Sequence, residues 1–285
     1  MSPGEDDSYT DDYSAWLGKT QILEETISAI PVARLSAALG YPLSLASAGD
    51  ALPPCWHWLY FNEAAPAGKI ALDGHPQRGG FLPPVALPRR MWAGSRLHFH
   101  APLRVGDSAR RESTITGIEA KRGRSGELLF VTVEHRVLVD GCLCLEEQQD
   151  LVYRGGEGVA RSAPAQPPQP AQWTRTVQPD PVLLFRYSAL TFNAHRIHYD
   201  RDYAVGQEGY RGLVVHGPLI ATLLLDLVHR NVPDAHVASF DYRSLAPLQD
   251  VEPFRVCGSE AAGSVDLWAE SGAAGLAAQG RVQLL

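Results

Sequence analysis

The sequence predicts an α+β chain in which a helix wrapped by a long antiparallel sheet occurs twice. Three observations carry this. Residues 128–139 and 142–153 are rich in β-branched side chains and meet at Asp140-Gly141, a two-residue hairpin signal. A second β block closes the chain, with strands expected near 236–245, 252–260, 263–270 and 274–284. Between the two blocks runs an apolar stretch, residues 213–228, holding Leu219, Ile220, Leu223, Leu224, Leu225 and Leu227 at helical spacing. A phrase also recurs. Residues 96–107 and 238–250 each read as a strand, then Pro-Leu, then a turn ending in Asp.

The remaining elements follow in order. Residues 1–14 read as a disordered acidic tail. Residues 15–39 carry Trp16, Leu17, Ile22, Leu23, Ile27 and Ile30 at roughly helical spacing, with a short second segment from Val32 to Leu39. Residues 53–61 are aromatic and strand-prone. Residues 79–88 hold three prolines and exclude a regular helix. Strands are expected at 95–101 and 109–120, and Gly123 and Gly126 close a hairpin. Residues 162–172 form a proline-rich linker. It divides a first domain, 15–161, from a second, 173–285. A further strand is expected at 182–188.

Composition narrows the function. The chain is 45% hydrophobic and 20% charged, which suits a globular protein. Glu5, Asp6, Asp7, Asp11 and Asp12 supply five units of the net −7. The acidic balance argues against a general nucleic-acid binder. Cys55, Cys142, Cys144 and Cys257 lack metal-binding spacing and read as small hydrophobes. His98 and His100 share a strand face, but no third ligand is evident, so no metal is expected. No apolar run approaches the roughly 20 residues of a membrane span, and the start does not read as a signal peptide. A cytoplasmic, soluble protein is expected.

The richest stretch is 185–200. Asn193 precedes His198 by five residues, and His216-Gly217 opens the apolar helix. His198 has an unperturbed pKa near working pH and can take and return a proton. The Asn193 carbonyl can orient a water. The Gly217 N–H, at a helix N-terminus, can face a developing oxyanion. The set suits hydration of an acyl thioester.

These residues resemble the MaoC-like, or (R)-specific enoyl-CoA hydratase, family of the hot-dog fold. Its signature is Asp-x-Asn-Pro-x-His followed by a Val-His-Gly helix start. The resemblance puts the catalytic His at His198 and the oxyanion Gly at Gly217. It puts the family's Asp at Asn193, its Asn at His195 and its Pro at Arg196. The wording of 185–200, together with 54–61, 74–84 and 88–94, is similar to a double-hot-dog sub-branch. That sub-branch comprises mesaconyl-C4-CoA hydratases, itaconyl-CoA hydratases and mitochondrial 3-hydroxyacyl-thioester dehydratases. The resemblance implies a double hot-dog fold and hydro-lyase activity on acyl-CoA, without metal or redox cofactor. It also implies a catalytically degenerate first half, whose missing central helix leaves room for the acyl tail beside Trp56, Trp58, Phe81, Met91 and Trp92.

A C5 dicarboxyl substrate needs a cation for its second carboxylate. Arg196 is the first choice, followed by Arg78, Arg89 and Arg90; His195 and His216 are further substrate contacts. Arg211 and Arg243 are weaker candidates for the coenzyme A phosphates. The alternatives are a fatty-chain dehydratase, a non-catalytic acyl-CoA binder and a thioesterase. Sheet edges make a homodimer the expected assembly.

Overall fold

A computed structural model describes residues 12–42, 46–123, 126–155 and 169–285. The first half contains β1 (Thr20–Thr26), α1 (Ala29–Ala38), β2 (Arg89–Phe99), β3 (Ser108–Gly123), β4 (Gly126–Val139) and β5 (Cys142–Arg154). The second contains β6 (Trp173–Val177), α2 (Pro181–Leu190), α3 (Arg201–Gly206), α4 (Gly217–Asn231), β7 (Val237–Ser244), β8 (Phe254–Ala261), β9 (Ser264–Ser271) and β10 (Gly275–Leu284). The ten strands form one sheet in the order β1-β3-β4-β5-β2-β7-β10-β9-β8-β6. Each half follows the same path, outer strand first and central strand second. This is the double hot-dog architecture.

The recurring sequence phrase marks the seam. β2 and β7 pair antiparallel, with Leu97 opposite Phe240 and Ser95 opposite Tyr242. Edge-to-edge pairing turns two predicted sheets into one and removes two exposed strand edges. At Asp140-Gly141 both residues have positive φ, 50° and 78°, as a primed hairpin turn requires.

Among the described residues only the second half has a long helix, so the helix expected over each half is present once. From Leu219 to Val228 every residue of α4 is buried, and the helix packs on β6, β8, β9 and β10. Over the first half lie instead a turn of 3-10 helix, Trp56–Leu59, and the proline segment near Val85. Val85 packs with Ile115, Leu129, Val131, Val133 and Tyr153, while Phe81 is partly buried beside them.

Three expected elements differ. Residues 20–26, read as helical, form β1, because a seven-residue ladder to β3 satisfies their backbone. Residues 53–61, read as a strand, make the 3-10 turn; positive φ at Cys55 and Phe61 bends the chain at both ends. Residues 182–188, read as a strand, belong to α2. The Asp180 side chain accepts the Leu183 N–H, and Pro181 sits where its missing N–H costs nothing. The acidic tail up to residue 11 and linker residues 162–168 lie outside the described residues. Cys142 is exposed, whereas the other three cysteines are buried thiols. No described helix is long and apolar enough to cross a membrane.

Candidate active site

Two loops and one helix end converge. α2 leads into the loop of Asn193 and His195. A 3-10 turn, Arg196–His198, then drops the His198 ring inside. His198 is buried, and its Nδ1 lies 2.7 Å from the Val214 carbonyl. A carbonyl only accepts, so Nδ1 carries the hydrogen and Nε2 is left with a lone pair. Burial lowers the His198 pKa to about 4, so the ring is neutral near pH 7.

His216 stacks on His198, with ring centroids 3.7 Å apart. Its Nε2 hydrogen-bonds the Ser188 hydroxyl at 2.8 Å. His216 also precedes α4 as its N-cap residue, without a side-chain cap. The first N–H groups of α4 therefore receive no bond from that side chain. Pro218 has no N–H, so the first turn offers the N–H groups of Gly217 and Leu219.

Trp92 presses on Gly217. A Cβ built at Gly217 would lie 2.6 Å from the Trp92 ring. That ring is fixed on three sides. It stacks on Tyr242 at 4.7 Å and meets Trp58 edge-on at 5.4 Å. Its Nε1 donates to the Ser95 hydroxyl at 3.0 Å, and Ser95 donates to Glu147 at 2.5 Å. Glu147 is buried and also meets Trp58 Nε1 and His57. Burial alone would raise its pKa. Hydrogen bonds from His57 and Ser95, with the nearby imidazoles, hold it at about 2 instead.

The first half adds a loop that sequence reasoning quoted but gave no role. Asp73 accepts from His75 Nδ1 at 3.2 Å, and the His75 ring lies 4.1 Å from that of His195. His195 in turn meets His198 edge-on at 5.4 Å. Gly74 makes the docking possible: its φ is +91°, and an added Cβ would fall 1.8 Å from the Ala194 carbonyl oxygen. The Asp73 carbonyl accepts the Arg196 N–H at 2.9 Å. Asp73, His75 and His195 each offer one donor atom, and these lie within 4.8 Å of one another. The signal for this loop was a titratable pair flanking a glycine, Asp-Gly-His.

Several expected roles change. The Asn193 carbonyl accepts the His195 N–H at 3.0 Å, so it closes the loop. Arg196 is corrected from substrate reader to brace. Two of its nitrogens bind Asp200, at 2.7 and 3.0 Å, and a third donates to Leu72 O. Arg78 is spent on the carbonyls of Val85, Leu87 and Pro88. Arg89 is spent on Glu208, through both its carboxylate and its carbonyl. His216 is buried against His198. Trp56 lines a separate cavity of about 970 Å³ with Tyr41, Phe99, Leu225 and His229, toward the C-terminal end of α4. Phe81 joins the first-half core, and Met91 is partly exposed.

Comparison with known proteins sharpens the picture. Residues 55–250 match the family described as hydroxyacyl-thioester dehydratase type 2. The chain is 50% identical to a mesaconyl-C(4)-CoA hydratase of Chloroflexus aurantiacus, over 91% of this chain and 93% of that protein. It is 30% identical to a mitochondrial hydroxyacyl-thioester dehydratase type 2 of Schizosaccharomyces pombe, over 84% and 90% of the two chains. Its fold is similar to that of HtdX of Mycobacterium tuberculosis, with a TM-score of 0.68 at 18% identity, over 93% and 100% of the two chains.

Proposed function

The chain belongs to the hydroxyacyl-thioester dehydratase type 2 family, whose members are hydro-lyases, and from that premise we propose that it adds water to the double bond of an enoyl-CoA. The preferred acyl group is a C5 dicarboxyl one of the mesaconyl-C4 type. The observation that carries this reading is the 50% identity to a mesaconyl-C(4)-CoA hydratase along nearly the whole of both chains.

The geometry supports a sequence of steps. The thioester carbonyl approaches the Gly217 N–H at the start of α4, beside the Trp92 ring that packs into the space a Cβ would take. Negative charge growing on that oxygen meets the Gly217 N–H and the positive end of α4. His198 Nε2, held free by the Nδ1–Val214 bond, takes a proton from water as its oxygen adds to the β-carbon. The protonated ring then delivers that proton to the α-carbon. Reversal gives dehydration. Asn193 shapes the loop and orients the water from its remaining acceptor position. The packed aromatics around Trp92 exclude bulk solvent, which strengthens each electrostatic contact.

In this reading the reaction needs neither metal nor redox cofactor, and prolonged dialysis against a chelator leaves the rate unchanged. The protein works in the cytoplasm as a homodimer, the outer strands β1 and β6 offering edges for pairing; light scattering would give twice the chain mass. A second reading, dehydration of ordinary 3-hydroxyacyl thioesters, draws on the 30% identity to the yeast enzyme. A thioester panel followed by loss of enone absorbance separates the two. Faster turnover of crotonyl-CoA than of every dicarboxyl thioester would reject the preferred substrate class.

A further inference from the structure

A dicarboxyl acyl group brings a second negative charge, and three of the four arginines near the cleft are already occupied. The fourth is Arg90. It is half-buried and has no hydrogen bond or ion pair with any described residue. A half-buried arginine without an anion is uncommon, because desolvating its charge is costly unless something neutralises it.

Its position follows from the sheet. The bulge between Trp92 and Gly94 lets Arg90, Trp92 and Ser95 share the inner face of β2. Trp92 touches Gly217, and Arg90 stands two residues away, about 6.8 Å along the strand. On the other side its charge reaches the first-half loop, where it disfavours protonation of both His75 and His195. Arg90 thus lies between the α4 N-terminus and the His75–His195 pair.

A second observation points the same way. Tyr153 is the cross-strand partner of Arg90 in β5. Its side chain is wholly buried, yet its hydroxyl has no hydrogen-bond partner among the described residues. Such an orphan is rare in a folded core and calls for an explanation. Asp73, the acid of the adjoining loop, bonds His75 and makes no ion pair with Arg90.

We propose that Arg90, assisted by the Tyr153 hydroxyl, forms the subsite that receives the free carboxylate of the acyl group. This rests on the dicarboxyl reading above. A guanidinium can grip a carboxylate through two parallel hydrogen bonds and so orient as well as attract it. The site would fix the acyl chain at its far end while Gly217 fixes the thioester. The double bond is then held at His198 from both sides.

The test compares kcat/KM for mesaconyl-C4-CoA, its methyl ester and crotonyl-CoA in the wild type and in Arg90→Gln, Arg90→Lys and Tyr153→Phe. In the wild type, esterification lowers kcat/KM by roughly tenfold to a hundredfold, the range for a charged hydrogen bond. In Arg90→Gln the acid loses that advantage, so acid and ester converge. Arg90→Lys keeps part of it, since the charge remains but the paired geometry does not. Tyr153→Phe narrows it by a smaller factor. Thermal melts establish that each variant is folded; if Arg90→Gln does not fold, Arg90→Lys and Tyr153→Phe carry the comparison. A wild type that prefers the acid, with variants that keep the full preference, overturns the assignment of Arg90 alone. A wild type indifferent to the second carboxylate overturns the substrate class, and the subsite with it.

Discussion

The two halves share one strand order and differ in what covers the sheet. Over the second half lies α4, fifteen residues long with an apolar middle, its N-terminus beside His198 and Trp92. Over the first lies a 3-10 turn, and beneath it a buried carboxylate, Glu147, tied to His57, Trp58 and Ser95. The difference teaches how a duplicated fold divides labour. A helix dipole and a loop imidazole suit proton chemistry. A sheet face freed of its helix can hold polar groups that shape a pocket. The halves are nonetheless coupled, because Trp92 and the Asp73–His75 loop of the first pack against the proposed catalytic elements of the second.

The sharpest way to break this division is His198→Ala. The second half then lacks its proton carrier, and hydration falls by about 10³-fold, within the usual span for general acid–base catalysis. A variant retaining wild-type turnover would move the chemistry elsewhere, the His75 pair being the next place to look.

Gly74→Ala probes the coupling instead. The new Cβ would strike the Ala194 carbonyl in a backbone conformation that disfavours side chains. The loop must shift, taking His75 and the Arg196 N–H with it. A displacement of this size costs about 10²-fold in kcat/KM. Unchanged kinetics would mean that the first-half loop is a bystander.

Acid stability sets the halves against each other more gently. Burial keeps His198 and His135 down near 4 and pushes His75, His195 and His216 down as well. Unfolded imidazoles titrate near 6.5. Between about pH 6.5 and 4 the unfolded chain therefore binds more protons. Stability that is complete above that window is lost as the pH falls through it. Glu147 acts in the same sense lower down, its contribution vanishing as the pH falls toward about 2. The melting temperature should drop steadily from pH 7 to 4.5; a flat profile would show that these rings are solvated. Three of the five rings belong to the second half, so His216→Phe, which removes one of them, should soften the slope.

The smallest effect is expected at Asn193. Asn193→Asp can still accept the His195 N–H, so kcat changes by less than about tenfold. Asn193→Ala leaves that N–H without its acceptor, costing about 1 kcal/mol of stability in a denaturant melt. A hundredfold loss on Asn193→Asp would give the carboxamide a role in the chemistry that its loop bond does not explain.

Much of the fold was legible in the chain. Strands β2 to β5 and β7 to β10 followed from β-branched runs and turn residues, which are local signals. α4 followed from its apolar period. β1 and α2 did not, because a short segment takes the state its neighbours complete: a ladder to β3 in one case, a cap at Asp180 in the other. The site shows the same split. His198 and Gly217 stood out by spacing. Arg196 looked well placed for a substrate carboxylate only because sequence does not show that Asp200 already holds it.

The sequence by itself determined the duplication, the long apolar helix of the second half and the pairing of an imidazole with a helix-start glycine, since each is written over a few adjacent positions. Tertiary structure alone decided which arginine stayed unpaired, which histidines stack and how Asp73 and His75 come to lie beside residues more than a hundred positions away. Those outcomes depend on which charges and rings find partners across the sheet and between loops. A linear pattern does not encode that competition for partners; the folded chain resolves it by burying what is paired and leaving the remainder at the cleft.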